Sequence, residues 1–480
     1  MELNTEINKK TVIGSLAWKF FERFVSQGLS LVIQIVLARI LLPEDFGSLA
    51  IIAAITNYAA LFVQSGIATA IVQKNDLDDL DVSTVFMSSM GLAIVFYLIL
   101  FFLSPWIADF YNSPILSPTL RVLSLVLFLN AINSVQTAIL SRRMQFKRLF
   151  MRSLFAVPIS GFVGITMAYL GFDLWALVAY NLTNMLVVVL VMNIGSDMKI
   201  KKGFSWERAR KIYNFSGKIL LSSLVSGGHD IIRTMTIGKK YTSADLAYYD
   251  KAYTYSYYIV TILNSTVSSV MLPTFSKSQD NLIELKRISR LSVKLSAFIM
   301  IPLLVGAAVV SYSLVLILLT DKWLPCVPFL ALFCVLRIPG IFMSIDRQVY
   351  YAIGRSDINL YYEISLCALN LICFFVAVHY GIIWIAICAC IIEFLGLIAV
   401  SILSSRLYGY SIIERINDLW KTVLASIIMG LCVYSLPDVM FVDRFVLFIV
   451  QVILGITIYL AISLLLKNEN IYYIKILITK

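Results

Sequence analysis

Apolar runs long enough to cross a bilayer as helices, about 20 residues each, recur from one end of this 480-residue chain to the other. A chain so patterned cannot fold around a water-facing surface, because the polar backbone of every run must be satisfied within the run or against its neighbours. Composition agrees. Hydrophobic residues make up 60% and charged residues 14%, against about 25% charged in a soluble globular chain.

Breaks at polar, Pro or Gly residues predict about 14 transmembrane helices. They lie near 14–40, 46–72, 82–104, 118–140, 153–170, 174–195, 216–238, 245–273, 291–319, 325–350, 358–379, 383–405, 422–436 and 445–466. Lys and Arg crowd into alternate connections, at 142–152, 199–218 and 277–290, while the intervening loops hold only Lys239, Lys240, Lys322 and Arg444. By the positive-inside rule both termini are expected on the cytoplasmic side. The net charge of +11 is then accounted for by topology, and no nucleic-acid partner is expected. Residues 1–10 run straight into an apolar segment without a small-residue cleavage site, so no removable signal peptide is expected. The seven cysteines lie in apolar stretches of the second half without a CxxC pair and are expected to pack.

Offset by 200 residues, the chain meets itself. Val25-Ser26-Gln27-Gly28 aligns with Val225-Ser226-Gly227-Gly228, Pro43-Glu44-Asp45-Phe46-Gly47 with Ser243-Ala244-Asp245-Leu246-Ala247, and Tyr58 with Tyr258. Six spans per repeat is an even number, so the copies face the same way and are expected as two pseudo-symmetric six-helix lobes around a central cavity. The expected division is an N-lobe at 1–198, a cytoplasmic amphipathic linker at 199–215, a C-lobe at 216–405, and C-terminal helices 13 and 14 with a tail at 406–480. The linker mixes Phe204, Trp206, Ile212 and Tyr213 with Arg208, Arg210 and Lys211, which suits anionic membrane lipids as a surface partner.

An ionisable group at the centre of a span costs about 2.5–3.5 kcal/mol on insertion scales, so each needs a reason. In the first span Lys19, Arg23, Gln27, Ser30 and Gln34 fall on one face with Glu22 beside them. The stripe either lines a wet cavity or pairs and snorkels at the interface. The seventh span carries His229, Asp230 and Arg233, the eighth Asp250 and Lys251, and the tenth Arg337, Asp346 and Arg347. Arginine forks hold phosphate oxygens in pairs, so Lys19, Arg23, Gln27, Arg233, Lys251, Arg337 and Arg347 are the expected substrate contacts. Glu22, Asp230, Asp250, Glu363 and Glu393 are candidates for binding a coupling H⁺ or Na⁺, with simple pairing to a base as the competing role. Tyr248, Tyr249, Tyr253, Tyr255, Tyr257 and Tyr258 form either a sugar-stacking surface or an interfacial belt. Pro43, Pro158, Pro273, Pro302 and Pro339 mark candidate bends. No phosphate-cradling Gly-rich loop or HExxH occurs, so no cofactor or metal is expected.

Several stretches resemble the polysaccharide-transport flippases of the Wzx type, in the superfamily that also holds the multidrug and toxin extrusion transporters. These are Leu42-Pro43-Glu44-Asp45-Phe46-Gly47, Leu120-Arg121-Val122-Leu123-Ser124-Leu125, Arg142-Arg143-Met144-Gln145-Phe146-Lys147-Arg148-Leu149, Gly171-Phe172-Asp173-Leu174-Trp175, Phe204-Ser205-Trp206, Lys322-Trp323-Leu324-Pro325-Cys326-Val327-Pro328 and Gly354-Arg355-Ser356-Asp357. The resemblance implies an all-α integral membrane fold with alternating access in the bacterial inner membrane. The implied cargo is an undecaprenyl-diphosphate-linked oligosaccharide moved to the periplasmic leaflet, with polysaccharide polymerase machinery as a partner. One departure is Ile231-Ile232-Arg233, where such flippases often carry an Asp or Asn after the position of Asp230, which bears on ion coupling. A cation-coupled drug exporter, a membrane enzyme of glycan assembly and a scaffold are the alternative functions. The first needs acids and aromatics for cationic drugs, and the second an outer catalytic loop, which the short outer loops do not supply.

Overall fold

The computed structural model describes residues 9–64, 71, 78–143, 145–194, 203–278, 281–436 and 444–471. Every regular element among them is a helix: α1 Lys9–Ile40, α2 Pro43–Gln64, α3 Asp79–Phe110, α4 Leu116–Leu123, α5 Val126–Arg142, α6 Phe146–Tyr169, α7 Leu174–Asn193 and α8 Trp206–Lys240. The chain continues with α9 Ser243–Lys277, α10 Leu282–Val309, α11 Ser311–Leu318, a 3-10 turn Asp321–Cys326, α12 Val327–Ala352, α13 Ser356–Ala377, α14 Ile382–Tyr408, α15 Ile412–Tyr434 and α16 Arg444–Leu465.

Local chemistry sets many of these ends. Pro43 opens α2, with Glu44 and Asp45 in the first turn where the helix dipole favours acids. A reciprocal capping box of Asp78 and Asp81 starts α3, and Ser411 with Glu414 does the same for α15. Gly171 follows α6 at φ +78° and Gly354 follows α12 at φ +76°, left-handed positions that a side chain rarely adopts. Both glycines belong to stretches that carry the family resemblance. Pro158, Pro302 and Pro339 lie inside continuous helices.

Eleven helical segments among the described residues are long and apolar enough to cross a membrane, and Val25–Ile40 is a shorter apolar stretch. Each of the 14 expected spans overlaps a helix, but α8 and α9 are not among those eleven, so length and composition do not fix the count at 14. Both carry the ionisable residues that the sequence places inside spans. Large apolar side chains such as Phe102, Phe162, Ile372 and Leu464 point outward, as a hydrocarbon solvent requires.

The chain forms two compact units, Met1–Ala247 and Tyr248–Lys480. In the first, α6 packs along α1 and α7, α5 against α3 and α2, and α8 against α2 and α3. In the second, α10 packs on α12 and α15, α14 on α12 and α13, and α16 on α15. This grouping follows packing, whereas the expected boundary at the linker follows the repeat, and the two criteria assign α8 differently. Residues 206–215 of the expected linker form the start of α8. From Trp206 the chain runs unbroken along α8, because Ser205 caps the helix there and no proline interrupts it. The last two helices are no loose appendage: Ala425, Met429 and Val433 of α15 and Tyr459 of α16 share a core with Phe298 of α10, whose carbonyl accepts from Tyr459 at 2.8 Å.

The repeat reappears as local geometry. Asp45 Oδ2 accepts from the Leu42 N–H at 3.1 Å, and Asp245 Oδ2 accepts from the Thr242 N–H at 3.2 Å. The Leu41 N–H closes on Leu37 and the Tyr241 N–H on Ile237, both at 2.9 Å. Two helix ends, two turns and two helix starts thus recur at an offset of 200 residues.

Candidate functional site

In the second unit, α9, α12, α13 and α14 bring four of the expected residues together. Arg337 of α12 donates to the Tyr253 carbonyl at 3.2 Å and to Ser256 Oγ at 3.4 Å. Its guanidinium lies 4.3 Å from the ring centre of Tyr253 and 5.3 Å from that of Tyr257. All these partners are neutral, so the positive charge is held in place without being cancelled by them. Ten residues on, Arg347 pairs with Glu363 of α13 at 3.3 Å, both side chains more than a third exposed. The Nε of Arg347 is buried with no hydrogen-bond partner. Glu393 of α14 is within electrostatic reach of both arginines yet closes no ion pair with either. Two guanidinium groups thus lie within electrostatic reach of Glu393, one of them paired with Glu363.

The tyrosines of α9 divide by role. Tyr248 donates to the Lys322 carbonyl at 3.1 Å and meets Trp323 edge-on, and Tyr249 packs edge-on against Phe329 and Phe333. These pack the core. Tyr253 and Tyr257 instead present their faces to Arg337, and Tyr257 is half exposed. Lys251 is buried, its Nζ 6.0 Å from the Tyr255 ring, with Asp250 beside it in sequence.

In the first unit, Arg233 of α8 pairs with Asp230 at 3.0 Å, and His229 Nδ1 lies 3.7 Å from the same carboxylate. Gln27 of α1 is half-buried, with its Oε1 buried and unpartnered. The side chains of Lys19, Glu22 and Arg23 lie outside the described residues.

Two features were not read from the sequence as such. Asp346 and Arg415 form a buried bidentate pair, at 2.9 and 3.1 Å, with Ser404 and Tyr408 also donating to Asp346. Asp346 was grouped with the cationic residues of its span, but its partner sits 69 positions away on α15. Beside it, Arg290 chelates Asp418 and Lys286 meets Glu414, which ties α10 to α15. In the first unit Arg208 pairs with both Asp78 and Asp81. That pairing holds the Asp78 carboxyl at a pKa of about 2 against its ordinary 3.8, chiefly through the hydrogen bond from Arg208.

A match to the polysaccharide biosynthesis protein family covers residues 36–328, more than half of the chain. The chain belongs to that family. Among its relatives is the succinoglycan biosynthesis transport protein ExoT of Rhizobium meliloti (strain 1021), 24% identical over 72% of this chain and 70% of that one. Another is the lipopolysaccharide biosynthesis protein WzxC of Escherichia coli (strain K12), 26% identical over 75% of this chain and 73% of that one. Among solved structures, the lipid II flippase MurJ in an inward closed conformation superposes with a TM-score of 0.78 at 18% identity, covering 95% of this chain and all of that one. The fold is therefore the multi-pass membrane fold that MurJ shows.

Proposed function

We propose that the protein is an alternating-access flippase that moves an undecaprenyl-diphosphate-linked oligosaccharide from the cytoplasmic to the periplasmic leaflet of a bacterial inner membrane. Both termini are cytoplasmic. Membership of the polysaccharide biosynthesis family and the transport and lipopolysaccharide roles in the relatives' names support the cargo class. The observation that carries it is Arg337, a guanidinium held in the second unit by neutral partners, with Arg347 ten residues on along the same helix. A diphosphate takes such donors in pairs. Arg233, Lys251, Gln27, Lys19 and Arg23 are further contacts along the path.

Glu393 is the carboxylate best placed for coupling. It lies within electrostatic reach of both arginines, so taking up H⁺ or Na⁺ raises the net positive charge that the cluster shows to an anion. Anionic lipids lie against the basic segment around Arg208 and Arg210, and polymerase machinery receives the flipped product.

Deleting the gene and extracting lipids tests the reading. The expected result is accumulation of a diphosphate-linked oligosaccharide with loss of surface polysaccharide, reversed by the wild-type gene and at least about tenfold less by Arg337→Gln at equal abundance. Unchanged lipid intermediates together with raised drug sensitivity would favour a drug exporter instead.

A further inference from the structure

The contacts that Arg337 and Arg347 make themselves hold α12 loosely. They are hydrogen bonds of 3.2 and 3.4 Å to α9, and an ion pair of 3.3 Å to Glu363 between side chains more than a third exposed. Such an exposed pair adds little rigidity. The far side of α12 is fastened more firmly. Asp346 lies nine residues after Arg337, about two and a half turns, so the two side chains leave α12 on opposite sides. Tyr350, about one turn further along, shares the face of Asp346.

Asp346 accepts two hydrogen bonds from the Arg415 fork, at 2.9 and 3.1 Å, one from Ser404 at 3.0 Å and one from Tyr408 at 2.5 Å. The Tyr350 hydroxyl lies 3.0 Å from Ser404 Oγ and 3.3 Å from the Val400 carbonyl. Ser289 of α10 lies 3.3 Å from the Tyr408 hydroxyl, and the Arg415 guanidinium rests 4.7 Å from the Tyr410 ring centre. Every one of these side chains is buried. Helices α10, α12, α14 and α15 thus converge on one carboxylate.

A packing role alone does not call for this chemistry. Burying a carboxylate and a guanidinium costs desolvation that apolar side chains of similar volume avoid, and exchanging such a pair for them is often neutral or stabilising. What an apolar contact lacks is direction. A planar fork meets a carboxylate in one plane, so the pair fixes the rotation of the helix that carries it. Arg347 is the next residue after Asp346, so any rotation of the backbone there moves both.

We propose that Asp346 and Arg415 are positioning residues for anion binding: their pair fixes the rotation of α12 from its far side and so holds Arg337 and Arg347 toward the substrate's diphosphate. The inference rests on the reading of Arg337 as an anion contact and deepens it. It gives α15, which carries none of the expected contacts, a part in recognition.

The test measures binding of undecaprenyl diphosphate to the full chain in phosphatidylcholine nanodiscs, at equal amounts of folded protein. Arg337→Gln is expected to bind about tenfold more weakly. Asp346→Leu combined with Arg415→Met, which keeps the contact but not its direction, is expected to lose about as much. Arg415→Lys, which keeps the charge but not the fork, is expected to lose a smaller part. Nine residues along a helix span about 13 Å, beyond the range at which independent sites couple, so a merely structural role predicts additive losses, about a hundredfold for Arg337→Gln added to the apolar pair. Positioning predicts that this triple variant loses less than about threefold beyond Arg337→Gln alone. Wild-type affinity in the apolar pair or in Arg415→Lys, or additive losses in the triple variant, would overturn the positioning role and leave Arg337 as the anion contact. Should the apolar pair not fold, Arg415→Lys decides alone. Wild-type affinity in Arg337→Gln, or no binding by the wild-type protein, would overturn the reading on which the inference rests.

Discussion

At the scale of single residues, two kinds of intramembrane charge separate. Asp346 and Arg415 neutralise each other by a bidentate pair and are buried, 0% and 3% exposed, although the Nε of Arg415 has no partner. Removing one partner leaves an uncompensated charge and costs about 3–5 kcal/mol, whereas replacing both by apolar residues of similar volume is closer to neutral. Arg415→Met should therefore lower the thermal midpoint of the detergent-solubilised protein sharply, and Asp346→Leu combined with Arg415→Met should recover much of it. Equal midpoints for the single and double variants would contradict that. Arg337, Arg347 and Glu393 are the other kind, with donors and a carboxylate not fully used. Glu393→Gln fixes the cluster's charge, so transport by that variant is expected to lose its dependence on an imposed pH or Na⁺ gradient. A retained gradient response would assign coupling to another acid. The sequence could show that these ionisable groups sit in spans, because a single expensive residue in an apolar run stands out. It could not show which were neutralised, since the deciding partners lie 16 to 84 positions away.

At the scale of elements, the repeat makes a specific demand on the junction of α1 with α2 and of α8 with α9. Gly47, in the first copy of the junction, sits against Ser243, in the second: a Cβ at residue 47 would lie 1.7 Å from the Ser243 carbonyl oxygen. Backbone cannot yield as a flexible side chain does, so Gly47→Ala should cost about 1–3 kcal/mol, read as a lowered midpoint and reduced abundance. Ala247 occupies the aligned position in the second copy, so the small residue is a requirement of this contact and not of the turn itself. The helix starts at Pro43 and Ser243 were legible because proline, acids and the 200-residue offset mark them. The continuity of the linker with α8 was not. Its basic and aromatic mixture suits a surface helix and the exposed first turns of a long one equally, and only the tie of Ser205 and Arg208 to α3 decides between them.

At the scale of the whole molecule, the membrane fold followed from the apolar runs and the family from short motifs that turn out to be helix ends. Gly171 and Gly354 occupy left-handed positions, Trp323 is buried in a 3-10 turn, and Asp45 caps α2. The account's central claim is that the protein itself moves a lipid-linked oligosaccharide across a bilayer. The direct measurement reconstitutes the purified chain into vesicles with a fluorescent undecaprenyl-diphosphate-linked oligosaccharide in both leaflets and follows quenching by a membrane-impermeant reductant. The account predicts that wild-type protein lets quenching pass beyond the outer-leaflet half, and that Arg337→Gln slows this at least about tenfold. Quenching that stops at half in wild-type vesicles, under an imposed H⁺ gradient and an imposed Na⁺ gradient alike, would contradict it.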